Sequence, residues 1–264
     1  MKKIALLLVA APLALVACGG GSANTQPGVD LVAFVKQAGS KTAGMPSEHM
    51  VMTAKISAGP MALKMNGSGD FSNTTKQGDM TVGMNLMGRN IRMEEVLDGT
   101  TIYMRSPMFS SQLPLGKTWM KLDLQKAIQS QGLDYSSMMS QKPGDVLAQL
   151  GAGGSVKSLG AETINGAETT HYQVTDIDIS KLPQGAKVAA LVHPKYGPIN
   201  VWIGKSDGYV HRMSMSFTYS AQGQSASLDM TIDLSKFGED VHVTVPAASD
   251  VFDATAMTTG GFGG

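Results

Sequence analysis

The single cysteine of the chain, Cys18, follows a short apolar segment near the first residue. Lys2 and Lys3 precede an apolar run over Ile4–Leu15, which is too short to span a bilayer unaided and is typical of a secretory signal. Leu15-Val16-Ala17 places small residues directly before the cysteine, and three glycines follow it. This spacing suits a peptidase that cuts before a cysteine whose thiolate has taken a diacylglyceryl group. The pattern therefore predicts lipidation of Cys18.

The simpler alternative is an ordinary signal with an incidental cysteine. A single thiol cannot form an internal disulfide, and an unpaired thiol in an exported chain needs another explanation. Acylation supplies one, because two or three acyl chains anchor a protein stably. We therefore expect a cell-membrane protein that is lipid-anchored on the extracytoplasmic face. Residues 1–17 are then the signal peptide, and residues 18–28 are the lipidated cysteine with a flexible tether.

The other residues with chemical potential form no recognisable catalytic or metal-binding motif. None of the five histidines lies in an H-x-x-x-H or H-E-x-x-H spacing, and no G-x-S-x-G nucleophile elbow occurs, although a Ser–His–Asp site can assemble from distant residues. Glu94 and Glu95 are adjacent, so on a strand they point to opposite faces and cannot act as an acid/base pair. We interpret Gly67-Ser68-Gly69 as turn glycines. No metal, no cofactor and no enzymatic activity are expected.

The composition excludes a nucleic-acid partner and leaves open the role of the many methionines. Lys plus Arg and Asp plus Glu both total 21, so the chain lacks the basic footprint of a nucleic-acid-binding protein. The sequence contains 19 methionines against seven phenylalanines, and most lie in strand-like runs. Methionine fills irregular apolar volume and re-packs easily. This enrichment suits either a cavity for a variable ligand or an ordinary methionine-rich core.

The elements that must position these residues are mostly strands. Val29–Thr42 has apolar residues at helical spacing, with Asp30 as a cap. From Glu48 the pattern alternates with period two through about five strands, and Asp98-Gly99 is a strong hairpin signal. Each strand has one apolar and one polar face, so the apolar side of the sheet must be covered. We predict one domain over residues 29–253, followed by a disordered Gly-rich tail at 254–264.

The second half of the chain combines short helices with further strands. Asn165-Gly166 is a second hairpin signal, and Ser180–Pro198 reads as a loop. The predicted helices cover Gln125–Gln131, Tyr135–Gln141 and Pro143–Leu150. The predicted strands cover Val156–Glu162, Thr169–Ile177, Ile199–Ile203, Tyr209–Ser220, Ser225–Leu234 and an edge segment at Val241–Val245.

Five stretches in this order resemble the LppX/LprAFG family of actinobacterial lipoproteins. They are DGTTIYMRSP, LPLGKTWMKLDL, QKPGDVLAQL, VKSLGAETINGAETTHYQVTDIDISKL and VWIGKSDGYVHRMSMSF, which together span Asp98–Phe217. The resemblance implies a mainly β (α+β) fold of the lipoprotein-carrier type. In that fold a strongly curved antiparallel half-barrel of about ten strands has helices covering its concave apolar face.

The resemblance also implies a ligand and a site. Some family members hold acylated glycolipids or other lipids between sheet and helices, so the expected partners are a lipid or lipoglycan ligand, the membrane through acylated Cys18, and an export partner protein, with no nucleic acid. The implied rim of the cavity is Met108, Phe109 and Leu113 in the loop Ser106–Gly116. The alternative is a non-enzymatic envelope sensor or protein-interaction module without a bound lipid. The implied cavity lining is Met50, Met52, Met80, Met84, Met93, Met213, Met215 and Met230.

Overall fold

The computed structural model describes residues 30–59, 61–86, 88–129, 155–176, 195–221 and 224–255. These residues form one sheet of 13 strands with few helices. The helices are α1 Leu31–Ala43, α2 Pro107–Ser110 and α3 Leu124–Gln129, with a 3-10 helix at Ala248–Asp250. The strands are β1 Ser47–Ala58, β2 Met61–Ser72, β3 Gln77–Leu86, β4 Arg89–Asp98, β5 Thr101–Arg105, β6 Trp119–Asp123, β7 Ser155–Ile164, β8 Ala167–Thr175, β9 Lys195–Tyr196, β10 Ile199–Gly204, β11 Val210–Ala221, β12 Gln224–Ser235 and β13 Val251–Asp253.

The sheet joins a meander from the first half of the chain to hairpins from the second half. Its strand order is β13-β6-β5-β4-β3-β2-β1-β12-β11-β10-β8-β7, and β9 pairs with β11 beside β10. All neighbouring pairs are antiparallel except β13 with β6, which is parallel. The pairing of β1 with β12 joins the two halves into one mixed, mostly antiparallel sheet.

Local sequence signals explain the first helix and the tight turns. The Asp30 Oδ1 atom accepts hydrogen bonds from the amides of Val32 at 3.0 Å and Ala33 at 3.1 Å, so α1 has the predicted N-terminal cap. In the β7–β8 turn, Asn165 and Gly166 have φ values of 50° and 84°. A type I′ turn needs positive φ at both central residues, and Asn-Gly tolerates this conformation well. The cap and this hairpin are therefore confirmed.

The predicted curvature and strand number were wrong. The structure has 13 strands rather than about ten, and the sheet is neither closed nor strongly curled. β1 to β4 pair with one another through unbroken registers. Among the described strands, register shifts occur only at Trp202/Ile203 and Ser158/Gly160. Bulges bend strands sharply, so their absence from β1 to β4 removes one source of strong curl.

Three local predictions also need correction. Val241–Val245 is not an edge strand, because the edge lies further along at β13, where the amide of Thr118 also donates to the Asp250 carbonyl at 2.9 Å. Gly67-Ser68-Gly69 lies inside β2 rather than in a turn. Lys195–Tyr196, in the segment predicted as the loop Ser180–Pro198, forms the short strand β9. The helix predicted at Gln125–Gln131 is present as α3. The helices predicted at Tyr135–Gln141 and Pro143–Leu150 lie outside the described residues.

The glycines of β2 have a packing role. A Cβ atom on Gly69 would lie 2.0 Å from the Asp79 carbonyl oxygen of β3, and one on Gly67 would lie 3.0 Å from Met80 Sδ. Real Cβ atoms essentially never approach other heavy atoms that closely, so a side chain at Gly69 would push β3 away. The two glycines allow β2 and β3 to approach and Met80 to lie over β2.

The core lies on one side of the sheet, which we call the apolar face; the other side is the polar face. One buried cluster combines Val35 and Ala38 of α1 with residues of β8, β10 and β11. A second cluster consists of Met50, Phe71, Met80, Val82, Met93 and Leu234, from β1 to β4 and β12. Ile232 packs against both clusters, so the core is continuous along this face.

Candidate functional site

All eight methionines that the sequence predicts as cavity lining lie on the apolar face. Residues opposite each other in a ladder point to the same side, and the registers link Met52 to Ile232, Met84 to Ile91 and Met215 to Met230. The alternation along each strand places the remaining methionines on that same side. The structure therefore brings together side chains from β1, β3 and β4 with side chains from β11 and β12, which lie more than a hundred residues later in the chain.

Half of these methionines are part of the packed core. Met50 is 2% exposed, Met80 is 4% exposed, and Met93 and Met213 are each 7% exposed. Met50, Met80 and Met93 belong to the cluster with Phe71, while Met213 packs with the residues beneath α1. We call this filled part of the apolar face the packed end.

The other half lies on a part of the apolar face that is less well covered. Along β2 the apolar-face residues change from Phe71, which is 2% exposed, to Met61, which is 48% exposed. The same trend follows β1, β3, β4, β11 and β12, where the residues beyond the packed end are half-buried. We call this region the open strip; it consists of Met52, Ala54, Ile56, Met61, Leu63, Met65, Met84, Ile91, Met215, Phe217, Leu228 and Met230.

The predicted rim residues lie on or near α2. The hydroxyl of Ser106 accepts a hydrogen bond from the Met108 amide at 3.3 Å and donates one to the Arg92 carbonyl at 3.0 Å, which fixes the start of α2 beside β4. Phe109 packs against the cluster at the packed end, Leu113 is half-buried, and Met108 is 41% exposed. The loop thus meets the apolar face through Phe109.

The apolar face also contains a carboxyl group that the sequence analysis missed. Glu48 is 1% exposed, and neither of its carboxylate oxygens has a hydrogen-bond partner. Burial raises the pKa of this carboxyl to about 7, and burial also raises the pKa of Glu95, which lies opposite Met80 and Met104. The signal was present in the alternation, because Glu48 has the same parity as Met50 and Met52.

The adjacent Glu94 points to the polar face, as predicted for neighbouring strand residues. It forms an ion pair with Arg105, and the Arg105 guanidinium lies 4.6 Å from the centre of the Trp119 ring. Glu94 and Glu95 therefore lie in different environments and do not form a catalytic pair.

Comparison with known proteins connects this architecture to a family. A model of the LppX/LprAFG lipoprotein family matches residues 30–243, which is most of the chain. The chain belongs to the LppX/LprAFG lipoprotein family. The resemblance read from the sequence is thereby confirmed, and family membership implies an envelope-associated lipoprotein of a carrier-like, generally non-enzymatic group.

Two relatives show how far the likeness extends. The crystal structure of lipoprotein LppX from Mycobacterium tuberculosis is 17% identical, with a TM-score of 0.50, and the match covers 81% of this chain and 98% of that one. An uncharacterised 31.2 kDa protein of Streptomyces griseus, encoded between rplA and rplJ, is 24% identical over 249 residues, or 86% of this chain and 80% of its own length. At these identities the LppX structure supports a shared fold.

On the polar face, this LppX/LprAFG lipoprotein has one arrangement that resembles a catalytic triad. Ser68 Oγ lies 3.1 Å from His49 Nε2, and His49 Nδ1 lies 2.8 Å from Asp70 Oδ1. Acyl transfer also needs amide or side-chain donors aimed at the developing oxyanion. Ser68 lies in the middle of β2, paired with Val51 on one side and Thr81 on the other, so the ladder surrounds it. We therefore assign this trio to surface hydrogen bonding.

Two features are absent from the part of the chain that the structure describes. It contains no cluster of three or more His, Cys, Asp or Glu side chains that could hold a metal ion. None of its helices is long and apolar enough to cross a membrane.

Proposed function

We propose that this protein is a membrane-anchored envelope lipoprotein that binds the acyl chain of a lipid or glycolipid on the open strip. It would then carry or present that lipid across the cell envelope. Acylated Cys18 is the anchor in this proposal, and the export partner protein remains part of it. Membership of the LppX/LprAFG lipoprotein family supports the envelope location.

The observation that supports the proposal most is the contrast within the apolar face. Well-packed proteins rarely leave a large contiguous apolar patch exposed, and such patches mark binding sites for proteins, membranes or ligands. Here the packed end shows that the same sheet can bury its methionines to a few per cent exposure. Beyond Met52, Met84 and Met215 the side chains are only half-buried. An acyl chain laid across these residues would complete the burial.

Burial of apolar surface alone can hold an acyl chain, so lipid binding on the open strip requires no specific hydrogen bond. Burying a methylene group contributes about 0.8 kcal/mol, so an acyl chain gains affinity with every carbon that it buries. Methionine suits this contact because its unbranched thioether side chain adapts to different chain shapes. In the proposal, Met52, Met84, Met215 and Met230 contact the lipid, whereas Met50, Met80, Met93 and Met213 belong to the packed end beside the open strip. Met108, Phe109 and Leu113 form the rim of the site.

Lipid binding is tested by native mass spectrometry of the acylated chain purified from its host membranes. We expect a non-covalent lipid on the wild-type protein. Met84→Trp and Met215→Trp should reduce its occupancy, because each indole would fill part of the open strip. The matched control is Val51→Trp, since Val51 is 39% exposed and lies on the polar face of β1.

The alternative function, an envelope sensor or interaction module without lipid, gives the opposite result. In that case no lipid co-purifies with the wild-type protein, and the three tryptophan variants behave alike. Unchanged occupancy in both Met84→Trp and Met215→Trp would also contradict the proposed site, even with lipid bound elsewhere on the chain.

A further inference from the structure

A groove of about 980 Å³ crosses the polar face of the sheet. Two adjacent rows of polar-face residues line it, each continuous through the strand registers from β11 to β4. Asn200 and Pro198 close one end. The row between the two polar rows belongs to the open strip and completes the lining with Ala54, Met65, Met84, Ile91, Met215 and Met230. The first row is Ser216, Asp229, Lys55, Lys64, Asn85 and Asn90; the second is Ser214, Thr231, Thr53, Asn66, Gly83 and Arg92.

The groove is rich in groups that form hydrogen bonds with hydroxyls. Asn85 Nδ2 donates to Asn90 Oδ1 at 2.7 Å, which holds two amides side by side on neighbouring strands. The Asn66 carboxamide lies over Gly83 in the second row, because a Cβ atom on Gly83 would lie 2.9 Å from Asn66 Oδ1. Side-chain amides and hydroxyls both donate and accept hydrogen bonds. This chemistry matches a ligand with many hydroxyl groups.

The charge of the groove indicates an anion. Three of its lining residues are basic and one is acidic. Lys55 and Lys64 are directly opposite each other in the β1–β2 ladder, an arrangement that destabilises a sheet through like-charge repulsion. Within the described residues, neither lysine forms an ion pair with a carboxylate within 4.0 Å, although Asp229 lies opposite Lys55 in the register. A negatively charged ligand between the two ammonium groups would remove this repulsion.

We propose that this groove binds an anionic glycan, a chain of sugar residues that carries carboxylate or phosphate groups. Six neighbouring strands at a spacing of about 4.8 Å give the groove a length of about 24 Å, which suits an extended oligomer. A groove fits such a chain better than it fits a flat bilayer. None of its lining residues is aromatic, which disfavours a nucleic acid that binds by base stacking. The side chains of Lys55 and Lys64 point to the polar face, away from the open strip, so substituting them leaves the side chains of the strip in place, although both sites share the row of residues between the two polar rows.

The test uses isothermal titration calorimetry on the full chain in a non-ionic detergent at low salt. The probes are a pentamer of galacturonic acid, which carries carboxylates, and maltopentaose, a neutral oligomer of the same length. We expect the anionic pentamer to bind roughly tenfold more tightly than the neutral one. Lys55→Gln/Lys64→Gln should weaken binding of the anionic pentamer by about tenfold, and Lys55→Arg/Lys64→Arg should retain it, because the charges are kept.

The matched control removes the same two charges elsewhere. Lys76→Gln/Lys236→Gln changes two exposed turn lysines and should leave binding unchanged. The proposal is overturned if both double glutamine variants lose affinity equally, since net charge would then explain the binding. It is also overturned if Lys55→Gln/Lys64→Gln binds like the wild type. Binding to phosphatidylglycerol vesicles that depends on these lysines, without binding of the pentamer, would instead identify a membrane surface as the partner.

Discussion

The buried carboxyl of Glu48 makes the folding stability of this protein depend on pH. The side chain is 1% exposed on the apolar face, and its oxygens have no hydrogen-bond partner. Taking a carboxylate out of water without a partner disfavours its charged form, so burial raises the pKa of Glu48 from 4.5 to about 7. The folded state therefore holds a proton that the unfolded chain releases at lower pH.

The difference between the pKa of Glu48 in the folded protein and in the unfolded chain sets the sign and size of the change in folding stability with pH. Below about pH 4.5 the carboxyl is protonated in both states, and the native protein has its full stability. As the pH rises towards 7 the unfolded chain ionises first, so the free energy of unfolding falls; above about 7 the loss is complete. A shift from 4.5 to about 7, at about 1.4 kcal/mol for each pKa unit, corresponds to about 3 kcal/mol.

Substituting Glu48→Gln removes the ionisation while keeping the size of the side chain. Urea denaturation at about pH 4 and about pH 8 gives the free energy of unfolding of each variant. Between these two pH values the wild type should lose about 3 kcal/mol more than Glu48→Gln does. Glu168→Gln is the matched control, because the Glu168 side chain is 79% exposed, and it should behave like the wild type. Parallel pH dependence of the wild type and Glu48→Gln would show that the ionisation of Glu48 does not affect folding stability.

Three other substitutions test the sheet and the anchor. Gly69→Ala should lower the free energy of unfolding by about 1–3 kcal/mol in urea denaturation, because its Cβ would meet the backbone of β3. Gly67→Ala should cost less, because its Cβ would meet only the side chains of Met80 and Met52. Equal losses for the two alanine variants would contradict this account of the β2–β3 contact. Cys18→Ser should abolish incorporation of labelled palmitate in the host, and labelling that persists would show that Cys18 is not the acylated residue.

The sequence predicted the parts of the fold that depend on local chemistry. Asp30 could be recognised as a cap because its side chain satisfies amides only two and three residues away. Asn165-Gly166 identified a turn because few residue pairs tolerate positive φ at both positions. Alternation assigned Met84 and Met215 to one face, since strand side chains change sides at every residue. Each of these signals lies within a few residues of the feature it predicts.

The features that the sequence did not predict depend on distant parts of the chain. β13 pairs with β6, which lies more than a hundred residues earlier in the chain, and no local sequence pattern indicates this pairing. In the sequence Gly69 resembles a turn glycine, and only the structure shows that the backbone of β3 lies against it. The Lys55–Lys64 pair becomes visible only once the β1–β2 register is known. Overall curvature is equally non-local, because it is the sum of twist and bulges over every strand.

Photo-crosslinking shows directly whether an acyl chain lies on the open strip. A lipid with a diazirine group in its acyl chain would be bound to the full-length protein and irradiated, and the labelled peptides would be sequenced by mass spectrometry. If the acyl chain lies there, we expect labels on Met52, Met84, Met215 or Met230, and none on polar-face residues of the same strands such as Thr53 and Ser214. Labels confined to the polar face, or no labelling of the sheet, would contradict it.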